Sequence, residues 1–197
     1  MAQKLRLDIY LVTKGHASSR HKAQQLIRAG RVRDATGTLL DKPGQEVLHD
    51  LQVQIKETPR FVSRGGEKLL EALSHFPVVI KDKICIDGGI STGGFTDCLL
   101  QHGARKIYGI DVGYGQADWN LRNDSRVVLR ERTNLRSLTP QDLYGPLDEI
   151  ADFAVADLSF ISLRLVLPSI RQLLLSKNSE AIVLVKPQFE VGRERVR

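Results

Sequence analysis

The chain of 197 residues has only two cysteines. Cys85 and Cys98 both sit inside apolar runs and form no metal-ligand spacing, so they are expected as small buried hydrophobes of a reducing compartment, not a disulfide framework or a metal site. His16, His21 and His49 show no ligand spacing either and are expected on the surface; no metal is implied. No apolar run approaches the ~20 residues a membrane span needs. The opening M-A-Q-K-L-R-L-D lacks the apolar core of a signal peptide. A cytoplasmic protein is the expectation. There is no G-K-[S/T], which excludes a P-loop.

What is present is an uneven charge. The formal net charge is +6, and residues 1–68 hold 13 Lys/Arg against 7 Asp/Glu, whereas residues 69–197 hold 16 against 16. A basic unit joined to a neutral one fits a polyanionic substrate gripped by the first and handled by the second. A solvated basic surface without a partner is the competing reading.

The neutral part carries the most specific pattern, K-I-C-I-D-G-G-I-S-T-G-G-F-T-D-C-L-L over 83–100. An apolar run ends in Asp87, breaks at Gly88-Gly89, passes Ser91-Thr92-Gly93-Gly94 and resumes at Phe95 as a helical pattern. Strand, glycine-rich turn and helix form the place where open α/β sheets hold a nucleotide-like cofactor. Asp111, closing a second strand-like run, stands where such folds set an acid on ribose hydroxyls. Asp87 and Asp97 would repel a pyrophosphate but suit a ligand carrying an ammonium and a sulfonium, as S-adenosylmethionine does. An ordinary glycine-rich loop and a dinucleotide site are the alternatives.

Further strands are expected at 127–130, 153–157 and 181–186, with helical patterns between. Alternating β and α units with apolar strands predict an α/β fold, a Rossmann-like doubly wound parallel sheet, with ligands at the carboxyl ends of the strands. Asp87, Asp111, Asp157 and Lys186 each close an expected strand, and Asn134 follows the third. A helix N-cap is the bland role for any single strand-end acid.

The first third reads as a small α+β domain. Leu7–Val12 forms an apolar helical face stopped at Gly15. Ser18 or Ser19 caps a second helix, Arg20–Ala29, with Ala23, Leu26 and Ile27 as its stripe and Gly30 past its end. Short strands follow. Burying the stripe leaves Arg20, Lys22 and Arg28 on or beside the opposite face, and Arg31, Arg33 and Lys42 extend it.

Two resemblances follow from the motifs. L-D-I-Y-L-V, S-R-H-K-A-Q-Q-L-I-R-A-G-R-V and D-K-P-G-Q-E-V resemble the αL RNA-binding module named after the fourth small-subunit ribosomal protein. That resemblance implies contact with structured RNA through phosphates and shape. S-R-G-G-E-K-L, S-T-G-G-F-T-D, I-D-V-G-Y-G-Q, E-R-T-N-L-R, V-A-D-L-S-F-I-S-L and L-V-K-P-Q-F-E-V-G, in that order, resemble the TlyA family of haemolysins and ribosomal-RNA ribose 2′-O-methyltransferases. Its catalytic part is of the FtsJ type. The expected organisation is an RNA-binding domain over 1–59, a linker over 60–66 and a methyltransferase domain over 67–197.

The resemblance implies a Lys-Asp-Lys-Glu catalytic set, of which Lys68, Asp157 and Lys186 match the first three members. It also implies S-adenosylmethionine as cofactor, held by Asp87, Gly88, Ser91, Thr92, Gly93, Gly94, Phe95, Asp111, Asn134 and Asp157. Ribosomal RNA or ribosomal subunits are the implied partner. The family's closing glutamate lies on a later strand, and Glu190 belongs to the K-P-Q-F-E motif instead. The expectation is therefore a C-terminally truncated chain that binds RNA but transfers little, with 181–185 as an exposed apolar edge. An RNA-binding protein with an inactive cofactor domain, and a membrane-lytic protein, are the alternatives.

Overall fold

The computed structural model describes residues 4–56, 59–176 and 178–191. It divides into two units, Met1–Thr58 and Pro59–Arg197.

In the first unit, β1 (Lys4–Arg6) leads directly into α1 (Leu7–Thr13), followed by α2 (Arg20–Arg28), β2 (Val32–Asp34), β3 (Glu46–Leu48) and β4 (Val53–Ile55). The strands pair as two antiparallel ribbons, β1 with β3 and β2 with β4. The helices pack through the apolar stripe read from the sequence, burying Leu7, Tyr10, Leu11, Ala23 and Ile27 with Val32 and Val47. Ser19 is the cap of α2, its Oγ accepting from the Lys22 N–H at 3.2 Å. Gly30 ends the helix at φ +66°, a left-handed turn that suits glycine.

The second unit contains α3 (Gly65–His75), β5 (Ile84–Gly88), α4 (Gly94–Gln101), β6 (Lys106–Ile110), α5 (Trp119–Arg122), β7 (Val127–Arg130), α6 (Pro140–Leu143), β8 (Phe153–Ala156), α7 (Leu163–Leu173), β9 (Glu180–Val183) and α8 (Pro187–Glu190). Its five strands form one parallel sheet in the order β7-β6-β5-β8-β9. The expected doubly wound architecture is the one observed. Alternate residues of the central strands feed two cores. Ile84, Ile86, Tyr108 and Ile110 pack with Leu143 of α6 and Val166 and Ile170 of α7. Cys85, Ile107, Phe153 and Val155 pack with Leu69 of α3 and Phe95, Cys98 and Leu99 of α4. Both cysteines are free and buried. No helix among the described residues is long and apolar enough to cross a membrane.

Two boundaries differ from expectation. Residues 60–66 are not a linker: Phe61 is buried in the second core, the Val62 N–H donates to Asp97 Oδ2 at 2.8 Å, and α3 has begun at Gly65. An aromatic ring with a place in the core anchors what composition alone marks as a connection. The last strand ends at Val183, so Lys186 stands three residues beyond it, at the start of α8. Among the described residues β9 lies at the edge of the sheet, with Ala181 exposed and Val185 60% exposed, but Ile182 and Val183 pack partly against the two cores.

Candidate active site

The central feature is the crossover from β5 to α4 at the carboxyl edge of the sheet. Gly93 takes φ +99° as the residue before α4, a conformation L side chains rarely adopt. Its neighbour Gly94 serves packing. A Cβ there would lie 2.2 Å from Ser63 Oγ and 2.8 Å from the Gly66 backbone nitrogen. A Cβ on Gly66 would lie 2.2 Å from the Phe61 ring. The S-R-G-G and S-T-G-G motifs therefore interlock, and the contact sets where α3 carries Lys68.

Asp111, one residue past β6, ties the glycine loop down. Its Oδ2 accepts from the Ser91 N–H at 2.8 Å and its Oδ1 from the Gly113 N–H at 2.7 Å. Each oxygen keeps a further lone pair, and the carboxylate borders a cavity of about 450 Å³. Ser91, Gln116, Asn134 and Asp157 supply other polar walls, and Ile110, Leu135 and Val166 apolar ones. That volume suits a small molecule with an apolar body. Asp111 sets a carboxylate on this lining, which suits a ligand with hydroxyl or ammonium donors better than a pyrophosphate. The donor set therefore fits S-adenosylmethionine.

Asp87, expected at the cofactor, is buried in this structure. It is 1% exposed, its Oδ2 accepts from Thr96 Oγ1 at 2.7 Å, and its Oδ1 has no partner. Burial pushes its carboxyl up to about 7, against a smaller lowering by the Thr96 hydrogen bonds. Neither Asp87 nor Gly88 nor Gly93 lines this cavity or the one beside it. Gly88 is needed inside the sheet, where a Cβ would meet the Leu135 side chain at 2.6 Å.

A second cavity, about 630 Å³, adjoins the first through Gly89, Ser91, Asp157 and Ser159. Here Asp157 stands between two ammonium groups. Lys68 Nζ donates to Oδ2 at 3.0 Å, and Lys186 Nζ lies 2.6 Å from Oδ1. The second contact is ionic; the directed hydrogen bond of Lys186 runs to Ser159 Oγ at 2.8 Å. Burial alone would raise the Asp157 carboxyl, but the ammoniums of Lys186 and Lys68 outweigh it and hold it below the usual aspartate range.

The structure thus gathers Ser91, Asp111, Asn134 and Asp157 around one cavity, and Thr92, Gly94 and Phe95 with Lys68, Asp157 and Lys186 around the other. Ser63, Arg64, Gln116, Ser159 and Phe160 also line these cavities, and sequence reasoning did not select them. Ser159 stood in plain view two residues after Asp157. Glu190 binds Ser162 Oγ at 2.6 Å and the Leu163 N–H at 2.7 Å, securing the start of α7. Gly192 of the last motif lies outside the described residues. No group of three metal-ligating side chains occurs among the described residues.

In the first unit Lys22, Arg28 and Lys42 are exposed and Arg31 is half-buried. Arg33 is exposed but donates to the Gly37 carbonyl at 2.7 Å. Arg20 is exposed as well, but its Nε donates at 2.9 Å to Asp8, a fully buried acid that also accepts from Arg6 and Gln24.

Residues 61–197 match the model of the FtsJ-like methyltransferases, and residues 5–33 match the S4 domain. The Bacillus subtilis protein YqxC, whose name places it among rRNA methyltransferases, is 54% identical over 99% of this chain and 68% of its own length. The 16S/23S rRNA (cytidine-2′-O)-methyltransferase TlyA of Mycobacterium tuberculosis is 46% identical over the whole chain and 72% of its own length. A solved Streptococcus thermophilus structure named among the hemolysins shares 41% identity, covers all of this chain and 71% of its own, and superposes with a TM-score of 0.68.

Proposed function

Because the chain belongs to the FtsJ-like methyltransferase family and opens with an S4 domain, we propose that Lys186 removes the proton from a ribose 2′-hydroxyl of ribosomal RNA as that oxygen is methylated. The observation that carries this reading is Asp157 held between Lys68 and Lys186, beside an acidic, glycine-edged cavity. S-adenosylmethionine, when bound, supplies an electrophilic methyl group on a cationic sulfur.

The residues of this chain do the rest. Asp111 fixes the Ser91 backbone and, with Asn134, offers acceptors and donors for a nucleoside. A ribose hydroxyl is a weak nucleophile at neutral pH, so a base within hydrogen-bond reach must take its proton as the new bond forms. Lys186 serves in its neutral form, and Asp157 orients it. Lys68, on the other oxygen of Asp157 and half exposed, positions the hydroxyl and adds a second positive charge beside the base. The exposed cations of the first unit hold the RNA.

The test is methyl incorporation from labelled S-adenosylmethionine into ribosomal subunits, followed by nucleoside digestion. The label is expected on a ribose oxygen; the mycobacterial relative's name specifies cytidine, and the same nucleoside is expected here. Lys186→Met should lower turnover by about a hundredfold or more, within the range for removing a general base, and leave RNA and cofactor binding nearly unchanged. A labelled base, or full activity in Lys186→Met, would overturn the mechanism.

A further inference from the structure

We propose that Ser159 is a positioning residue that aims the Lys186 nitrogen at the open groove; this rests on Lys186 being the proton acceptor. A neutral amine has two N–H bonds and one lone pair. Ser159 Oγ at 2.8 Å is the acceptor for one N–H bond, and Asp157 Oδ1, in ionic contact at 2.6 Å, draws the other without a directed hydrogen bond. The lone pair is then left facing the groove lined by Ser63, Arg64, Lys68 and Thr92. With Asp157 alone, the amine could turn about its Cε–Nζ bond and point the lone pair in either of two directions.

The hydroxyl is well supported for this task. It belongs to the loop from β8 to α7, whose start is pinned by the Asp157 N–H on the Gly88 carbonyl at 3.1 Å. Its end is pinned by Glu190 on Ser162 and Leu163. Phe160, the next residue, is held at φ +66°, a conformation that a loose loop would relax. Glu190 and Lys186 lie on one short stretch, so the tie that fixes the acceptor also fixes the donor's backbone. Ser159 itself is exposed, and its truncation removes little packing.

The experiment compares Ser159→Ala, Ser159→Cys and Ser159→Thr with the unaltered chain. Lysine Nζ signals are followed by heteronuclear NMR, with Lys186→Met assigning the Lys186 resonance. A slowly exchanging Lys186 signal is expected in the unaltered chain and in Ser159→Thr, and its loss in the Ala and Cys variants, since a thiol accepts hydrogen bonds poorly. In methyl transfer, kcat should fall about tenfold in Ala and Cys with KM for RNA and for S-adenosylmethionine within twofold, and Thr should recover most of it. Unchanged kcat in Ser159→Ala, equal loss in Thr and Ala, or a raised KM at constant kcat would overturn the proposal. So would a Lys186 signal that ignores the substitution. Methyl transfer by Lys186→Met at the rate of the unaltered chain would instead defeat Lys186 as the base, and the NMR comparison would still decide the Ser159 contact.

Discussion

Asp8 and Asp87 are both buried carboxyls, driven in opposite directions by what surrounds them. Hydrogen bonds from Arg6 hold Asp8 well below the usual range, with Gln24 and Arg20 adding to them against the cost of burial. Asp87 has only the Thr96 hydroxyl and backbone for company, and burial takes it up to about 7. The sign of the linkage follows. Between roughly pH 4 and pH 7 the folded chain keeps a proton on Asp87 that the unfolded chain has released. This carboxyl therefore favours folding at the acid side of that window, and its contribution falls as pH rises through 7. Asp87→Asn, which cannot ionise, should flatten the pH dependence of unfolding between pH 5 and 8 and make the chain more stable than the parent at pH 8. Urea titrations at both pH values, followed by circular dichroism, measure this. A parent whose stability rises across that interval, or a variant with the same slope, would show that Asp87 is ionised throughout.

At the scale of elements, the interlocked starts of α3 and α4 carry more than cofactor access. Gly94→Ala must push against the backbone nitrogen of Gly66, which cannot swing away as a side chain can. Overpacking of this kind costs about 1–3 kcal/mol. Because α3 also presents Lys68, the substitution should lower turnover together with melting temperature, while Gly44→Ala, where a Cβ meets nothing nearer than the Arg6 guanidinium at 3.5 Å, should leave turnover much nearer the parent. Thermal melts and methyl-transfer assays on the pair decide it; a Gly94→Ala chain with parental stability would show that the helices can part freely. This packing was not legible in the sequence, because Ser63 and Gly94 are far apart along the chain and glycine spelling alone is shared with a ligand loop. Strand alternation and the order of glycine loop and acids were legible, since the periodicity and turn chemistry of β5 to α4 are local. The role of Asp87 was not: one residue decides whether a strand-end acid faces the cavity or the core, and burial by α4 turned it inward.

For the whole molecule, charge and chemistry are divided between two units, and not every cation of the basic one is free to meet a polyanion. Helical spacing put Arg20 on the exposed side of α2, where it lies, but it could not show that its Nε would also serve Asp8, an acid buried one helix earlier. Lys22, Arg28 and Lys42 remain exposed on the first unit. Replacing these three by alanine should weaken RNA binding to a similar extent across sequences, because binding to phosphates carries no base information. Every phosphate no longer neutralised should make the plot of log K against log salt shallower by about 0.7–0.9, so the triple variant should lose roughly two units of slope or more if all three touch phosphate. Affinity for S-adenosylmethionine, measured by calorimetry, should stay within error, since the cavity lies wholly in residues of the second unit. Arg20→Ala should behave differently, lowering the stability of the first unit by about 1–2 kcal/mol as the buried acid loses a charged partner, with its loss of RNA affinity following the loss of fold. Filter binding to ribosomal RNA at several salt concentrations separates the two cases. A triple variant with parental affinity and slope would remove this face of α2 from the RNA interface and leave the second unit to bind the substrate by itself.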